Sequence, residues 1–309
     1  MTDEQGLLTR HAEYIESSTG SYWLKDVYAH LGLTDESSKA TIRQQSHRFL
    51  IKGIITRVGK EDGHYRRVDK EAKPIDIINA VPGLIIDVKY PFGLHNVIKT
   101  QQKELVVIAG ATGAGKSAYL LNFCLDNLEK HEVNLFTNTE MTASAIKERL
   151  LDHPNIGGFN MSNMHAFERE SDFADIIRPD GINVIDYLEV SSERPSKVGD
   201  DLAAILNSLN TGMALVAIQK RTNQQDAKGK IWEVDLGVGG EWSKRKAGIY
   251  LTLDHYPDNM LTIRKCRGRV LRDVNPIGMA WKFKLVNGIS FIQIHQPDDI
   301  KPKQTGIGF

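Results

Sequence analysis

A glycine-rich stretch that ends in a lysine and a serine is the part of this chain best suited to chemistry. Residues 110–117 read Gly-Ala-Thr-Gly-Ala-Gly-Lys-Ser and match the pattern G-x-x-x-x-G-K-[ST]. Glycines at these positions let the backbone wrap around an anion, while the lysine neutralises phosphate charge and the serine hydroxyl holds Mg²⁺. The residues expected to bind the phosphates of a nucleoside triphosphate are Gly110, Thr112, Gly113, Ala114, Gly115, Lys116, Ser117 and Ala118.

The sequence on both sides of this loop fits phosphate binding. Residues 104–109 form a short apolar run rich in β-branched residues, which predicts a buried strand. Residues 118–128 carry apolar residues at helical spacing. The alternative is a glycine-rich turn that matches the pattern by chance. The order strand, loop, helix favours a phosphate loop, because it directs the amides at the start of the helix toward the anion.

Length and composition limit the remaining possibilities. A chain of 309 residues suggests about two domains. The formal net charge is zero, so any contact with nucleic acid must come from local basic patches. The two cysteines, Cys124 and Cys266, are far apart and predict neither a disulfide framework nor a zinc site. Residues 1–5 do not resemble a signal peptide, and no apolar run approaches the roughly 20 residues of a membrane span. We therefore expect a cytoplasmic protein of a bacterial, archaeal or phage-infected cell.

Residues 1–73 are predicted to form a small separate domain. Apolar spacing and turn residues indicate three helices followed by two strands that a glycine-bounded turn connects. The predicted elements are helices within 7–15, 22–31 and 36–52, strands at 54–58 and 65–68, and a turn at 59–63. Three helices followed by a hairpin resemble a winged helix-turn-helix.

The charge of this domain favours a nucleic-acid surface. From Ser37 to Arg67 there are eight basic residues and two acidic ones, a balance of +6. A helix fits the major groove of B-DNA, and basic side chains at its flanks hold phosphates. The candidate contacts are Lys39, Arg43, Gln44, His47, Arg48 and Arg66. The alternative is a solvated helix in a module that binds only protein.

Residues 74–100 are predicted to connect this domain to a second one at 101–309. Prolines and glycines punctuate the segment, but its many isoleucines, leucines and valines are too apolar for a free linker. We expect these residues to dock on the second domain or on a neighbouring subunit.

The second domain alternates strands and helices. Strands are predicted at 133–139, 182–185 and 213–218, with helices at 142–151 and 200–209. This alternation predicts an α/β fold with a mostly parallel sheet and helices on both faces. Ligand groups gather at the carboxyl ends of such strands, where the sequence offers Glu140, Asp186 and Gln219 beside the phosphate loop.

Three further segments carry a family resemblance. Residues 136–141 (Phe-Thr-Asn-Thr-Glu-Met), 184–188 (Val-Ile-Asp-Tyr-Leu) and 263–268 (Ile-Arg-Lys-Cys-Arg-Gly) resemble motifs of the RecA/DnaB-type ATPases. This superfamily includes DnaB-type hexameric helicases, strand-exchange recombinases and KaiC-like proteins. The resemblance covers about residues 85–295 and is closest to the DnaB-type members. It implies a RecA-like fold, ATP and Mg²⁺ as ligands, and a homo-oligomer, either a hexamer or a filament.

The resemblance also implies a role for each motif residue. Glu140 would polarise the attacking water, and Asp186 would hold Mg²⁺ together with Ser117. Gln219 would sense the γ-phosphate. Lys265 and Arg267 would reach the nucleotide of the neighbouring subunit. The alternative for Lys265 and Arg267 is a solvated or DNA-facing basic cluster.

Two loops extend the expected contact with nucleic acid. In the resembling families, loops at the positions of residues 189–199 and 220–240 bind single strands. Lysines on a glycine-rich backbone suit contacts with phosphates that are neutral to sequence. The candidates in the second loop are Lys220, Arg221, Lys228 and Lys230. The alternative is an ordinary surface loop rich in glycine, lysine and glutamine.

The chain also departs from the DnaB pattern. Residues 240–248 keep only an outline of the helicase motif, and residues 1–73 do not resemble the helical primase-binding domain of those helicases. We therefore expect a divergent member, encoded by a phage or another mobile element, that acts as a DNA-dependent ATPase motor in replication or recombination. Two alternatives stay open: a filament-forming recombinase or mediator, and a nucleotide-switched DNA-binding initiator or regulator without motor activity.

Overall fold

The computed structural model describes most of the chain and divides it into two compact units. The described residues are 3–18, 20–70, 75–79, 81, 84–138, 141–189, 197–221, 224–225, 228, 231–232, 234–255, 257–268, 270 and 274–296. The units are Met1–Ala80 and Val81–Phe309. The boundary falls inside the predicted connection. Val88, Tyr90 and Leu94 are buried in the core of the larger unit, so the second half of that connection is part of this unit.

The smaller unit combines three helices with a three-stranded antiparallel sheet. Its elements are α1 (Asp3–Ser17), β1 (Ser21–Trp23), α2 (Leu24–His30), α3 (Glu36–Ile51), β2 (Ile55–Arg57) and β3 (His64–Arg67). The sheet has the order β1-β3-β2. Asp35 caps α3 by accepting a hydrogen bond from the Ser38 amide at 2.8 Å. Ile15, Val27, Ile42 and Ile55 form the buried centre.

The larger unit contains the remaining described helices and strands. They are β4 (Glu104–Gly110), α4 (Lys116–Asn127), β5 (Val133–Thr137), α5 (Ala143–Leu151), β6 (Met164–Glu168), β7 (Ile182–Leu188), α6 (Lys197–Ser208), β8 (Met213–Gln219), β9 (Gln224–Gln225), β10 (Ile231–Trp232), α7 (Glu241–Arg245), β11 (Ile249–Asp254), β12 (Met260–Cys266), β13 (Ala280–Val286) and β14 (Ser290–His295). β9 and β10 pair with each other. Short 3₁₀ turns lie between several of these elements.

A nine-stranded sheet organises this unit. Its order is β14-β13-β12-β11-β4-β8-β7-β5-β6. The six strands from β11 to β6 run parallel, and β12, β13 and β14 continue the sheet with antiparallel pairing. The predicted α/β class with a mostly parallel sheet is therefore confirmed.

Strand β4 lies inside the sheet and packs on both faces. Val106 and Ile108 belong to the apolar core that includes α4, whereas Leu105 and Val107 belong to the core that includes α6. This division follows from the alternation of side chains along a strand. Because every residue of β4 is buried, the loop that follows Gly110 leaves the sheet from a rigid support.

Candidate nucleotide site

The phosphate loop connects the carboxyl end of β4 to the first turn of α4. Gly113 and Gly115 have positive φ angles of 77° and 95°, a conformation that glycine adopts without steric cost. Gly115 directly precedes α4, so the first amides of the helix face the concave side of the loop. The loop lines a cleft of about 390 Å³. This geometry suits an anion such as a phosphate.

Lys116 and Gln219 meet inside this cleft. The Lys116 Nζ donates to the carbonyl oxygens of Gly110 and Ala111 at 2.9 and 3.1 Å and to the Gln219 Oε1 at 3.1 Å. The Gln219 Nε2 in turn donates to the Thr112 Oγ1 at 2.6 Å. β8 pairs directly with β4 and places Gln219 level with Gly110. The structure thus brings together three residues that the sequence predicted for this site.

Asp186 reaches the same cleft from β7, the strand beside β8. Its side chain is buried and lines the cleft together with Ser117. A carboxylate and a hydroxyl are both hard oxygen ligands of the kind that Mg²⁺ prefers. The donor set therefore fits the magnesium site that the resemblance implied.

Glu140 lies outside the described residues, so its predicted role stays a prediction. Residues close to it in the chain are described. The Asn138 amide donates to the Asp186 carbonyl at 3.3 Å, and the Met141 amide donates to the Asn138 carbonyl at 3.4 Å. The carboxyl end of β5 therefore lies next to Asp186.

Arg149 is a cleft residue that the sequence analysis missed. It lies in the last turn of α5 and lines the cleft with Lys116, Asp186 and Gln219. A guanidinium at this place adds positive charge that favours a polyphosphate. The available signal was weak, because a basic residue near the end of a helix is common for reasons of helix stability alone.

One wall of the cleft is apolar. It comes from the hairpin of β13 and β14, which contributes Leu285 and Gly288. A Cβ placed on Gly115 would lie 3.3 Å from Leu285 Cδ2 and 3.5 Å from Phe291 Cε1. The hairpin therefore packs closely on the phosphate loop, and a larger residue at position 115 would force it away.

Lys265 and Arg267 are not brought to the phosphate loop of their own chain. Ile249 of β11 pairs with both Cys266 and Val106, which places the end of β12 level with the beginning of β4. The Cα atoms of Lys265 and Gly110 are therefore about 14 Å apart, from the rise along a strand and two strand spacings. The two cations lie toward the opposite end of the sheet from the cleft.

Lys265 and Arg267 also differ in their surroundings. The Lys265 Nζ donates to the carbonyl oxygens of Lys244 and Arg245, at 2.9 and 3.2 Å, at the end of α7. Burial, with the neighbouring Arg267 as a second cause, lowers the pKa of Lys265. Arg267 is exposed, and its amide donates to the Gly248 carbonyl at 3.0 Å. Of this pair, Arg267 has the side chain that is more accessible to another molecule.

Helix α3 of the smaller unit exposes most of the predicted nucleic-acid residues. Arg43, Gln44, His47 and Arg48 are exposed, and their spacing places them on one side of the helix. Lys39 is half-buried, and both Lys39 and Arg43 pair with Glu36, at 3.5 and 3.2 Å. Arg66 is exposed on β3.

The predicted role of Lys220 does not fit the structure. Its ammonium is buried and forms an ion pair with the equally buried Asp254 at the end of β11. A buried and paired ammonium cannot contact a phosphate without breaking this ion pair. Lys220 thus anchors the start of its loop to the sheet. Arg221 and Lys228 are exposed, and Lys230 lies outside the described residues.

No described helix combines the length and the apolar character needed to cross a bilayer.

Comparisons with known proteins give similarity at the level of structure. No family model matches the chain, and no curated protein matches it. A KaiC-like protein from the hyperthermophilic archaeon Pyrococcus horikoshii is similar with 16% identity and a TM-score of 0.48, over 70% of this chain and 100% of that one. The RadB recombinase is similar with 15% identity and a TM-score of 0.42, over 61% of this chain and 90% of that one.

The strand order gives an independent view of the fold. The phosphate-loop strand β4 lies between β11 and β8, and the Asp186 strand β7 follows on the far side of β8. Gln219 thus ends the strand between the phosphate loop and Asp186, which is the arrangement that the sequence motifs implied. The larger unit has the RecA-like α/β fold.

Proposed function

We propose that this chain is an ATP-hydrolysing enzyme that assembles with copies of itself and whose turnover depends on DNA. The observation that carries the proposal is the hydrogen-bonded connection from Thr112 through Gln219 to Lys116. It joins the phosphate loop to the residue that precedes a loop with exposed Arg221 and Lys228. A change at the phosphates is thereby linked to a change at a basic surface.

Each described cleft residue has a role in this proposal. Lys116 and the first amides of α4 hold the β- and γ-phosphates. Ser117 and Asp186 would hold Mg²⁺, which neutralises charge on the phosphate oxygens when it is bound. Arg149 adds a second positive charge at the cleft. Glu140 orients the attacking water, as the resemblance implies, and accepts its proton.

Gln219 reports the occupation of the cleft in this scheme. The ammonium of Lys116 has three donor hydrogens, and one of them is directed at Gln219. A triphosphate that binds Lys116 competes for that hydrogen and weakens the hydrogen bond. Gln219 is then released toward the phosphate, and the loop that begins at Lys220 follows.

Arg267 completes the site of a neighbouring copy. In its own chain it lies toward the end of the sheet remote from the cleft, with its side chain exposed. A cation supplied by a second copy stabilises charge in the transition state of phosphoryl transfer. Hydrolysis therefore requires assembly.

The smaller unit serves as a winged helix-turn-helix that binds duplex DNA. The element order α1-β1-α2-α3-β2-β3 and the sheet order β1-β3-β2 support this proposal. The exposed side of α3 with Arg43, Gln44, His47 and Arg48 has the residue types that read a major groove and hold phosphates. In this proposal the unit recruits the ATPase to DNA.

The decisive experiment measures ATP turnover and assembly in the same samples. Hydrolysis is followed without DNA, with single-stranded DNA and with duplex DNA, while sedimentation velocity gives the mass of the assembly. We expect DNA to raise the turnover number and the active species to be an oligomer. Lys116→Ala is the control for hydrolysis by a contaminant. A DNA-independent rate from an oligomer would favour the initiator or regulator, and full activity of a monomer would overturn the proposal.

A further inference from the structure

Three exposed isoleucines stand close together near the end of the smaller unit. Ile75, Ile77 and Ile78 are 84%, 79% and 94% exposed. We call residues 75–79 the isoleucine segment. The carboxylate of Asp76 accepts hydrogen bonds from the Asn79 amide at 3.0 Å and from the Asn79 Nδ2 at 2.7 Å, which gives the segment a defined turn. Clustered apolar side chains in water mark a contact surface rather than a simple connection.

The larger unit has an apolar groove of matching character. It lies between α5 and β6, has a volume of about 450 Å³, and is lined by Ile146, Leu150, Met161, Met164 and Phe167. We call it the edge groove. Met161 and Phe167 are 37% and 39% exposed, so much of the apolar lining faces water. Lys147 lies at its rim and is exposed.

The edge groove also borders an open edge of the main sheet. β6 is the last strand in the order, and among the described residues no strand pairs with its outer side. An unpaired strand edge offers backbone donors and acceptors to an added segment. The groove therefore provides apolar contacts, a positive charge and a free backbone edge in one place.

We propose that the isoleucine segment of one copy docks in the edge groove of a second copy. The inference rests on the assembly of copies that the proposed function requires. Ile77 and Ile78 fit the apolar lining, and the carboxylate of Asp76 complements Lys147. The segment and the groove are different surfaces, so their contact is head-to-tail and builds a ring or a filament. Docking within one chain would leave nothing at this surface to connect the copies.

Disulfide capture between two singly substituted chains tests the proposal. Ile77→Cys and Phe167→Cys are prepared separately, mixed with nucleotide present and oxidised mildly. We expect a covalent dimer that contains one chain of each kind. The native Cys124 and Cys266 are both buried, which keeps the background low. Glu129→Cys mixed with Ile77→Cys is the matched control, because Glu129 is exposed but does not line the groove.

The outcomes separate this inference from the proposed function. A disulfide that forms only inside a doubly substituted chain would mean that the segment fills its own groove, and it would overturn the inference. An oligomer in sedimentation with no Ile77–Phe167 capture would also overturn it while leaving the ATPase assembly intact. A chain that stays monomeric with nucleotide and DNA would contradict the proposed function itself.

A second measurement does not depend on disulfide geometry. Ile78→Asp should shift the assembly to smaller species at the same protein concentration, because a charge would enter the apolar groove. Leu151→Asp is the matched control, since Leu151 is 64% exposed at the end of α5 and does not line the groove. Equal effects of the two substitutions, or an unchanged mass for Ile78→Asp, would contradict the docking.

Discussion

The Nζ of Lys116 and the Oε1 of Gln219 lie 3.1 Å apart and form a hydrogen bond across two neighbouring strands of the sheet. Lys116 begins α4 after the phosphate loop, and Gln219 ends β8. The next residue, Lys220, donates its amide to the Gly110 carbonyl and buries its side chain against Asp254. The phosphate loop and the loop after Gln219 are therefore joined at one point of the sheet edge.

Replacing Gln219 should separate nucleotide binding from stimulation by DNA. In Gln219→Ala, Lys116 keeps its hydrogen bonds with Gly110 and Ala111, so we expect ATP affinity to stay within about threefold of the original. The connection to the following loop is removed, so stimulation of turnover by single-stranded DNA should fall by about tenfold or more. Nucleotide titration and steady-state hydrolysis with and without DNA measure the two effects.

Gln225→Ala is the control for Gln219→Ala, because it lies in the same loop outside the cleft. If Gln219→Ala kept its full stimulation by DNA, Gln219 would not carry the signal. If it failed to bind ATP instead, Gln219 would be needed mainly to hold Lys116 in place.

The parallel half of the large unit was accessible from sequence because its strands are continuous apolar runs. β4, β7 and β8 are buried at nearly every position, and each is followed by a polar residue or loop at the same sheet edge. β6 was not predicted. Its side chains are half-buried or exposed, as expected at an edge, so it carries no apolar signal.

Lys220 and Arg149 show where sequence reasoning failed at the site. A lysine after a strand and before a glycine-rich loop suggests an exposed cation. Its burial depends on Asp254, which is distant in sequence and adjacent only through the pairing of β11 with β4. Arg149 enters the cleft through the packing of α5, and no local pattern of residues indicates that position. Both outcomes are set by tertiary structure rather than by local sequence.

Reversing two charges on α3 should weaken binding of duplex DNA in a salt-dependent way. Arg43→Glu with Arg48→Glu removes two exposed cations from one side of the helix. The slope of log K against log salt should become shallower by about 0.9 for each DNA phosphate that the protein no longer neutralises. Fluorescence anisotropy with a labelled duplex at several salt concentrations measures this slope.

Arg10→Glu is the comparison for the α3 substitutions, because Arg10 is exposed on α1 of the same unit. It changes the net charge of the unit without touching α3. An equal loss of affinity in both proteins would indicate that only net charge matters. Unchanged binding after the double reversal would exclude α3 as the duplex-binding surface.

Lowering the pH should destabilise the smaller unit through His11. The ring is buried between α1 and α3, its Nδ1 lies 2.7 Å from the Gln45 Oε1, and burial lowers its pKa below 6.5. The unfolded chain therefore binds a proton at a higher pH than the folded unit does. The stabilising effect of the neutral ring is complete above pH 6.5 and is lost as the pH falls through the lower folded pKa.

Hydrogen exchange of the α1 and α3 amides, corrected for the intrinsic rates, measures this effect between pH 8 and pH 5. His11→Gln removes the titrating ring and should flatten the pH dependence, whatever its effect on stability at neutral pH. His47→Gln is the control, because His47 is exposed on the outer side of α3. An identical pH profile for the original protein and His11→Gln would rule out His11 as the cause.

Substitutions at Lys265 and Arg267 should separate a supporting cation from a catalytic one. Arg267 is exposed, so Arg267→Ala should leave thermal stability unchanged while lowering the turnover number by about 10³-fold, the usual effect of a missing trans cation. Lys265→Met removes two hydrogen bonds to the end of α7 and should lower the melting temperature by a few degrees. Lys265→Arg keeps a donor at that position and should recover part of the stability.

Mixing inactive chains tests whether Arg267 acts between copies. Arg267→Ala retains an intact phosphate loop, and Lys116→Ala retains an intact Arg267. In mixed assemblies, some loops of the first kind face an arginine of the second kind, and activity should return to a fraction set by the subunit ratio. Absence of recovery, with mixed assembly demonstrated by mass, would show that Arg267 does not complete a neighbouring site. If Lys265→Met abolished turnover but kept its full stability, Lys265 would be a second trans cation, and its hydrogen bonds with α7 would have to break on assembly.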